Sequence, residues 1–176
     1  VERTGLVEGG RRYRLAHPPP RNEDPLRIRA ASFYRVRWGG LLLSSAPKAG
    51  ATVRAVVTLR NAGTETWPDP EMADPLEQQG AGAVRLSYRW WRPDDDVIVS
   101  DYRVRVDLPS PLAPGASVTL PVDLEMPVAP GPYRLQLDLV QELVGWFGNR
   151  GAERMMVPVT VEPAGPAAGA SAAGAP

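Results

Sequence analysis

Residues 118 to 139 read VTLPVDLEMPVAPGPYRLQLDL, two alternating apolar and polar runs on either side of a Pro-Gly-Pro turn. Val118, Leu120, Val122 and Leu124 point one way, while Thr119, Pro121, Asp123 and Glu125 point the other. Beyond the turn at Pro130, Gly131 and Pro132, residues Tyr133, Leu135, Leu137 and Leu139 alternate with Arg134, Gln136 and Asp138. A period of two places every second side chain on one face of a strand, so each run predicts a strand with one buried face. The prolines from Pro109 to Pro158 deny a helix of ordinary length between Leu108 and Val161, leaving room for one turn around Leu139 to Gly145.

The same period extends outward. Val53, Ala55, Val57 and Leu59 form an apolar face that ends at the turn residues Asn61, Ala62 and Gly63. There the asparagine can bond its own backbone, and glycine is read as supplying a positive φ. Val84, Leu86, Tyr88 and Trp90 alternate with Arg85, Ser87, Arg89 and Trp91. Asp94, Asp95 and Asp96 interrupt as a solvated hairpin turn, and Val97 to Val99 followed by Tyr102 to Leu108 resume the pattern. Met155, Val157, Val159 and Val161 complete it. Seven to eight short strands with one apolar face predict an all-β, antiparallel β-sandwich of immunoglobulin-like type, with a closed barrel as the structural alternative. Pro121 and Pro158 predict edge strands or bulges, because proline cannot donate to a ladder.

At 176 residues the chain predicts one compact domain with flanking segments. Residues 1 to 25 read as a linker or N-terminal arm, 26 to 162 as the sandwich, and 163 to 176 as a disordered Ala/Gly/Pro tail with little to bury. Val1 in place of methionine fits a piece of a larger protein. No apolar stretch is long enough for a transmembrane segment, and no signal segment opens the chain.

Composition narrows the chemistry. There is no cysteine, and the single histidine, His17, lies beside three prolines, so thiol and serine-histidine catalysis are without their residues. The expectation is no enzyme, no cofactor and no metal; Asp138 with Glu142 reads as surface charge rather than an acid-base pair. Formal charge balances to zero, which gives no global field toward nucleic acid. The first quarter is locally basic through Arg11, Arg12, Arg14, Arg27, Arg29, Arg35 and Arg37. With Lys48 the only lysine and alanine, glycine and proline abundant, however, arginine reflects a GC-rich coding bias and reads as a solvated face.

Two clusters are candidate binding residues. Adjacent strand residues point to opposite faces, so Trp90 joins Trp67, Tyr88 and Tyr133 in the structural core, and Trp91 emerges on the outer face with Arg89 and Arg85. There it either forms a platform for a sugar or peptide or lies under the N-terminal arm, through Phe33, Tyr34 or Trp38. Trp146, Phe147, Asn149 and Arg150 form a second rim, or else close the core at a strand end.

VRAVVTLRNAGTETWP at 53 to 68, LSYRWW at 86 to 91, the connector at 108 to 140 and GWFGNRG at 145 to 151 together resemble the bacterial immunoglobulin-like domains related to the next-to-BRCA1 central domain, also called four-tryptophan domains. The resemblance covers about residues 50 to 162, and Trp67-Pro68 with Trp146-Phe147 carries it most specifically. It implies a binding or spacer module of a larger envelope-associated protein, recognising a protein or glycan surface or neighbouring domains of its own chain. The alternative it implies is an accessory or substrate-guiding domain of an envelope glycosyltransferase whose catalytic part lies elsewhere.

Overall fold

A computed structural model describes residues 26 to 74, 80 to 94, 96 to 101 and 104 to 165. The segment 1 to 25 and nearly all of the tail lie outside the described residues. The strands in chain order are β1 (Val36–Leu43), β2 (Thr52–Asn61), β3 (Val84–Trp91), β4 (Ile98–Ser100), β5 (Val106–Asp107), β6 (Ser117–Glu125), β7 (Gly131–Gln141), β8 (Gly145–Trp146) and β9 (Met155–Val161). All ladders between them are antiparallel.

One sheet has the order β1-β2-β6. The other centres on the β3-β7 pair, with β4 and β5 sharing one flank of β3 and β8 and β9 sharing one flank of β7. The fold is therefore the expected immunoglobulin-like sandwich, three strand positions facing four. There are nine strands among the described residues because two positions are each divided in two.

The predicted inward faces are the core: Val53, Ala55, Val57 and Leu59 from β2 meet Leu86, Tyr88 and Trp90 from β3 and Leu135, Leu137 and Leu139 from β7. Pro121 and Pro158 occupy β6 and β9, at the edges of their sheets, where a missing N–H leaves no ladder gap. Where the sequence left room for one turn, around Leu139 to Gly145, β7 runs to Gln141 and a turn closed by the Val144 N–H to Gln141 carbonyl bond (3.0 Å) follows. The described helical turns are α1 (Pro70–Ala73), capped by the Asp69 carboxylate on the Met72 N–H, and a 3-10 turn at Phe147–Arg150. Of the run expected from Tyr102 to Leu108, Tyr102 and Arg103 lie outside the described residues, and among those described Val106 and Asp107 pair with β3.

Two aromatic clusters seal opposite ends. At one, the Trp90 indole N–H donates to the Glu125 carbonyl (2.9 Å), and Tyr88 Oη accepts the Glu125 N–H (2.9 Å), tying β3 across the core to β6. Tyr133 packs edge-on to Trp90 and donates to the Ala129 carbonyl (2.9 Å), the tyrosine-corner bond that fixes the turn into β7. At the other end Trp67, Phe33, Tyr34 and Phe147 pack ring against ring, with centroids 4.9 to 5.8 Å apart.

Gly63 corrects one expectation. Its φ is not among the positive values, so it is not there for turn handedness. A Cβ at this position would stand 2.7 Å from the carbonyl oxygens of both Ser32 and Phe33. Glycine is required because the backbone carrying Phe33 into the core passes directly over it.

Candidate functional site

The outer face of the four-position sheet carries most of the candidate residues. As the alternation predicts, Trp90 is fully buried, and Trp91 lies half-buried on the opposite side. Register builds the surroundings of Trp91: Ile98 on β4 and Arg134 on β7 flank it, and Pro158 on β9 follows. The next row is Arg89, Gln136 and Met156. Ile98 and Met156 are exposed at opposite ends of these rows, and Val97 and Val99 are exposed beside Ile98.

The indole of Trp91 is fixed. Its N–H donates to Gln136 Oε1 (2.8 Å), and the Arg89 guanidinium lies over the ring, 5.3 Å from its centroid. Arg89 in turn faces Asp101 at 3.8 Å, and Arg134 pairs with Asp96 at the end of the hairpin turn, which the Arg92 N–H to Val97 carbonyl bond closes. The proposed cover for Trp91 does not form from the residues expected to supply it. Phe33 and Tyr34 are core residues beside Trp67 and Phe147, and the Trp38 indole donates to the Glu153 carbonyl (2.8 Å).

At the far end of the same sheet Trp146 is half-buried under Arg105, 4.9 Å from its ring centroid. Arg105 also reaches Glu142 (2.7 Å), and Arg85 pairs with Asp107 and lies 3.7 Å from the same Glu142. Phe147 is fully buried, so it closes the core and is no part of a rim. Asn149 is exposed and accepts from Arg154 (2.6 Å), and Arg150 lies over Tyr34 rather than beside Trp91. The two candidate clusters are thus separate, with Trp91 and Trp146 at opposite ends of one face.

Between them sits Asp138, whose side chain leaves the core side yet is 1 % exposed. Its Oδ1 accepts the N–H groups of Leu139 (2.8 Å) and Gly148 (3.0 Å), and its Oδ2 accepts from Arg154 (3.0 Å). This carboxylate binds the 3-10 turn and the start of β9 to β7. It is not paired with Glu142, which the arginines hold. Burial pushes the Asp138 carboxyl above the ordinary carboxylate range, outweighing Arg154 and the two N–H donors. A carboxyl with a higher pKa folded than unfolded favours the fold most when protonated. That contribution is complete below the unfolded value of about 3.9 and is lost as pH rises through the folded value. Thermal unfolding from acid to neutral pH is therefore expected to show the wild-type melting temperature falling relative to Asp138→Asn. A rise would contradict the assignment.

The ionisable groups of this face hold one another in ion pairs, leaving ring edges, guanidinium donors and aliphatic side chains as what the surface offers. Gln136, Ile98 and Met156 were missed as parts of it. Their only signal is cross-strand register, which fixes who stands beside Trp91.

Among the described residues no helix is long and apolar enough to cross a membrane. No family model and no curated protein matches the chain. Among solved structures it is similar to the CARDB domain of a Pyrococcus furiosus protein in complex with di-metal ions, at 12% identity and a TM-score of 0.42 over 72% of this chain and 85% of that one. It is also similar to the sporulation control protein Spo0M of Bacillus subtilis, at 18% identity and a TM-score of 0.37 over 73% of this chain and 49% of that one. A β-glucosidase of Erythrobacter marinus shows 13% identity and a TM-score of 0.41 over 72% of this chain, which spans 15% of that enzyme.

Proposed function

We propose that this chain is a non-catalytic recognition module of a larger, envelope-associated bacterial protein, and that it binds a protein surface through the outer face around Trp91. The observation that carries the reading is the row Ile98, Trp91 and Arg134, beside Arg89 and Met156: a half-buried indole between exposed aliphatic side chains, edged by guanidinium groups. Trp, Met and Arg are the residues that protein interfaces concentrate at their centres. A protein surface is favoured over a glycan because Arg89 covers one face of the Trp91 ring and Gln136 occupies its N–H, where a sugar platform needs a bare ring face. The resemblance of the tryptophan-bearing segments to four-tryptophan domains supports the same class of module.

The test starts from a photocrosslinking residue placed at Ile98 in the intact protein in its native cell, with Val128, exposed on the turn between β6 and β7, as the control position. The partner captured at 98 is then purified and titrated against Trp91→Ala. Affinity is expected to fall about 30-fold, the loss of an interface anchor, with stability lowered by only about 1 kcal/mol or less. If no discrete adduct forms at 98 beyond those at 128, or Trp91→Ala lowers stability and leaves affinity intact, the tryptophan is a structural cover and the reading fails.

A further inference from the structure

The opposite sheet shows how this protein ordinarily treats an outward arginine, and where it departs from that habit. On β2, Arg54 stands directly opposite Asp123 of β6 and makes two hydrogen bonds to it (2.9 and 3.2 Å). Six residues later Arg60 stands directly opposite Arg37 of β1, with Ser117 on its other side. Like charges facing across strands repel, and a sheet that can choose avoids them. Arg35 stands just before β1, two residues ahead of Arg37, where the Ala62 N–H to Arg35 carbonyl bond (2.9 Å) continues the ladder and keeps it on the same face. All three arginines are exposed.

Among the described residues no carboxylate pairs with Arg35, Arg37 or Arg60, whereas Arg85, Arg89, Arg105, Arg134 and Arg154 of the other sheet each face one. A coding bias toward arginine would not sort paired from unpaired guanidinium groups by location. Arg60 is moreover held in place, its Nε donating to the Gly115 carbonyl (2.9 Å). Protection of an open edge by charge accounts for Arg37 on β1 and Arg35 just before it, but not for Arg60, which lies on the central strand.

β1 has β2 on one side and, among the described residues, no strand on the other. The space between that edge and the segment leading into β9 is a groove lined by Arg35, Arg37, Trp38, Glu153, Arg154 and Met155, in which three guanidinium groups outnumber the one carboxylate. The Trp38 indole is tied to the Glu153 carbonyl across it. An unpaired edge offers a row of backbone donors and acceptors, and side chains two residues apart on a strand are about 6.6 Å apart, the spacing of Arg35 and Arg37.

We infer that the β1 edge is a second binding site, which takes an extended acidic peptide as an added strand, with carboxylates at alternate positions meeting Arg35 and Arg37 and relieving the charge that Arg60 adds. A second copy of this chain would bring the same arginines to the edge and lacks that complementarity. The site is independent of the Trp91 face and stands or falls separately.

Three labelled probes decide it by fluorescence anisotropy: a peptide of eight residues, the length of β1, alternating glutamate and threonine; the same peptide methylated on alternate backbone nitrogens; and an oligogalacturonate of similar charge. Saturable binding of the first peptide is expected. It should weaken about tenfold on Arg37→Gln, the worth of one charge-assisted hydrogen bond, and remain unchanged on Arg54→Gln. Methylation should weaken it at least as much, because an added strand needs its N–H groups. No saturable binding of the first peptide, equal binding of the methylated peptide or the galacturonate, or equal losses from Arg37→Gln and Arg54→Gln would each overturn the inference.

Discussion

Trp67→Ala is expected to remove most of the stability of this domain, far more than truncation of any tryptophan that is only half-buried. Trp67 is not on a strand. It lies in the connection from β2 to β3, where its backbone exchanges two hydrogen bonds with Leu112 (2.9 Å each). Its indole is fully buried, packs edge-on to Phe147 at 5.2 Å and donates to the Phe33 carbonyl (2.8 Å). Removal leaves a cavity where three segments meet, the passage through Phe33, the long connection through Leu112 and the turn at Phe147. It also orphans a buried carbonyl. Large-to-small changes at such sites cost about 3 to 5 kcal/mol, and the unpaired carbonyl adds about 1 kcal/mol or more. Domains of this size hold only about 5 to 15 kcal/mol in total. With no disulfide to hold the sheets together, urea denaturation should show Trp67→Ala unfolded or nearly so at low denaturant. Trp38→Ala, which gives up a half-exposed ring and one bond to Glu153, should shift the midpoint by about 1 kcal/mol or less. Comparable losses from the two would mean that the Trp67 corner does not organise the fold.

That corner also marks the limit of what the residues announce. Alternation alone identifies β2, β3, β6, β7 and β9 and assigns Trp90 and Trp91 to opposite faces, because period two is a local property. It says nothing of neighbours across the sheet. The pairing of Trp91 with Ile98 and the confrontation of Arg37 with Arg60 both follow from register, set by turns and core packing. Local chemistry can also mislead. Asn61-Ala62-Gly63 has the composition of a turn that needs positive φ, yet Gly63 is there to let the Phe33 backbone pass. Phe147, next to a half-exposed Trp146, reads as part of a rim until three core aromatics are found to converge on it. Asp138 reads as an outward polar residue and proves to be buried, because the 3-10 turn and Arg154 fold back over that stretch of β7.

Asn61→Asp is the sharper test of the same corner, since it changes one atom group and almost no volume. Asn61 is fully buried, and its side chain is fully used. The amide nitrogen donates to the carbonyls of Glu65 (2.9 Å) and Leu112 (2.8 Å), and the amide oxygen accepts the Gly63 N–H (2.8 Å). These bonds join the end of β2 to the connection that enters β6. An aspartate at this position would put a carboxylate oxygen against two carbonyl oxygens at a fully buried position. A buried charge left without a partner costs about 3 to 5 kcal/mol, more than the roughly 3 kcal/mol expected of Asn61→Ala for three lost bonds at about 1 kcal/mol each. At neutral pH the order of stability should therefore be Asn, then Ala, then Asp. The new carboxyl escapes part of the cost by taking a proton, which supplies one donor toward Leu112 or Glu65, so its pKa folded lies above its pKa unfolded. By the sign of that shift, its destabilisation is complete above the folded value and recedes as pH falls toward about 3.9. Urea midpoints of the three proteins across that range should show Asn61→Asp recovering relative to Asn61→Ala as the solution is acidified. A pH-independent gap would show that the carboxylate finds a cation or water at this corner, and that the side chain of Asn61 is not the clamp its three bonds describe.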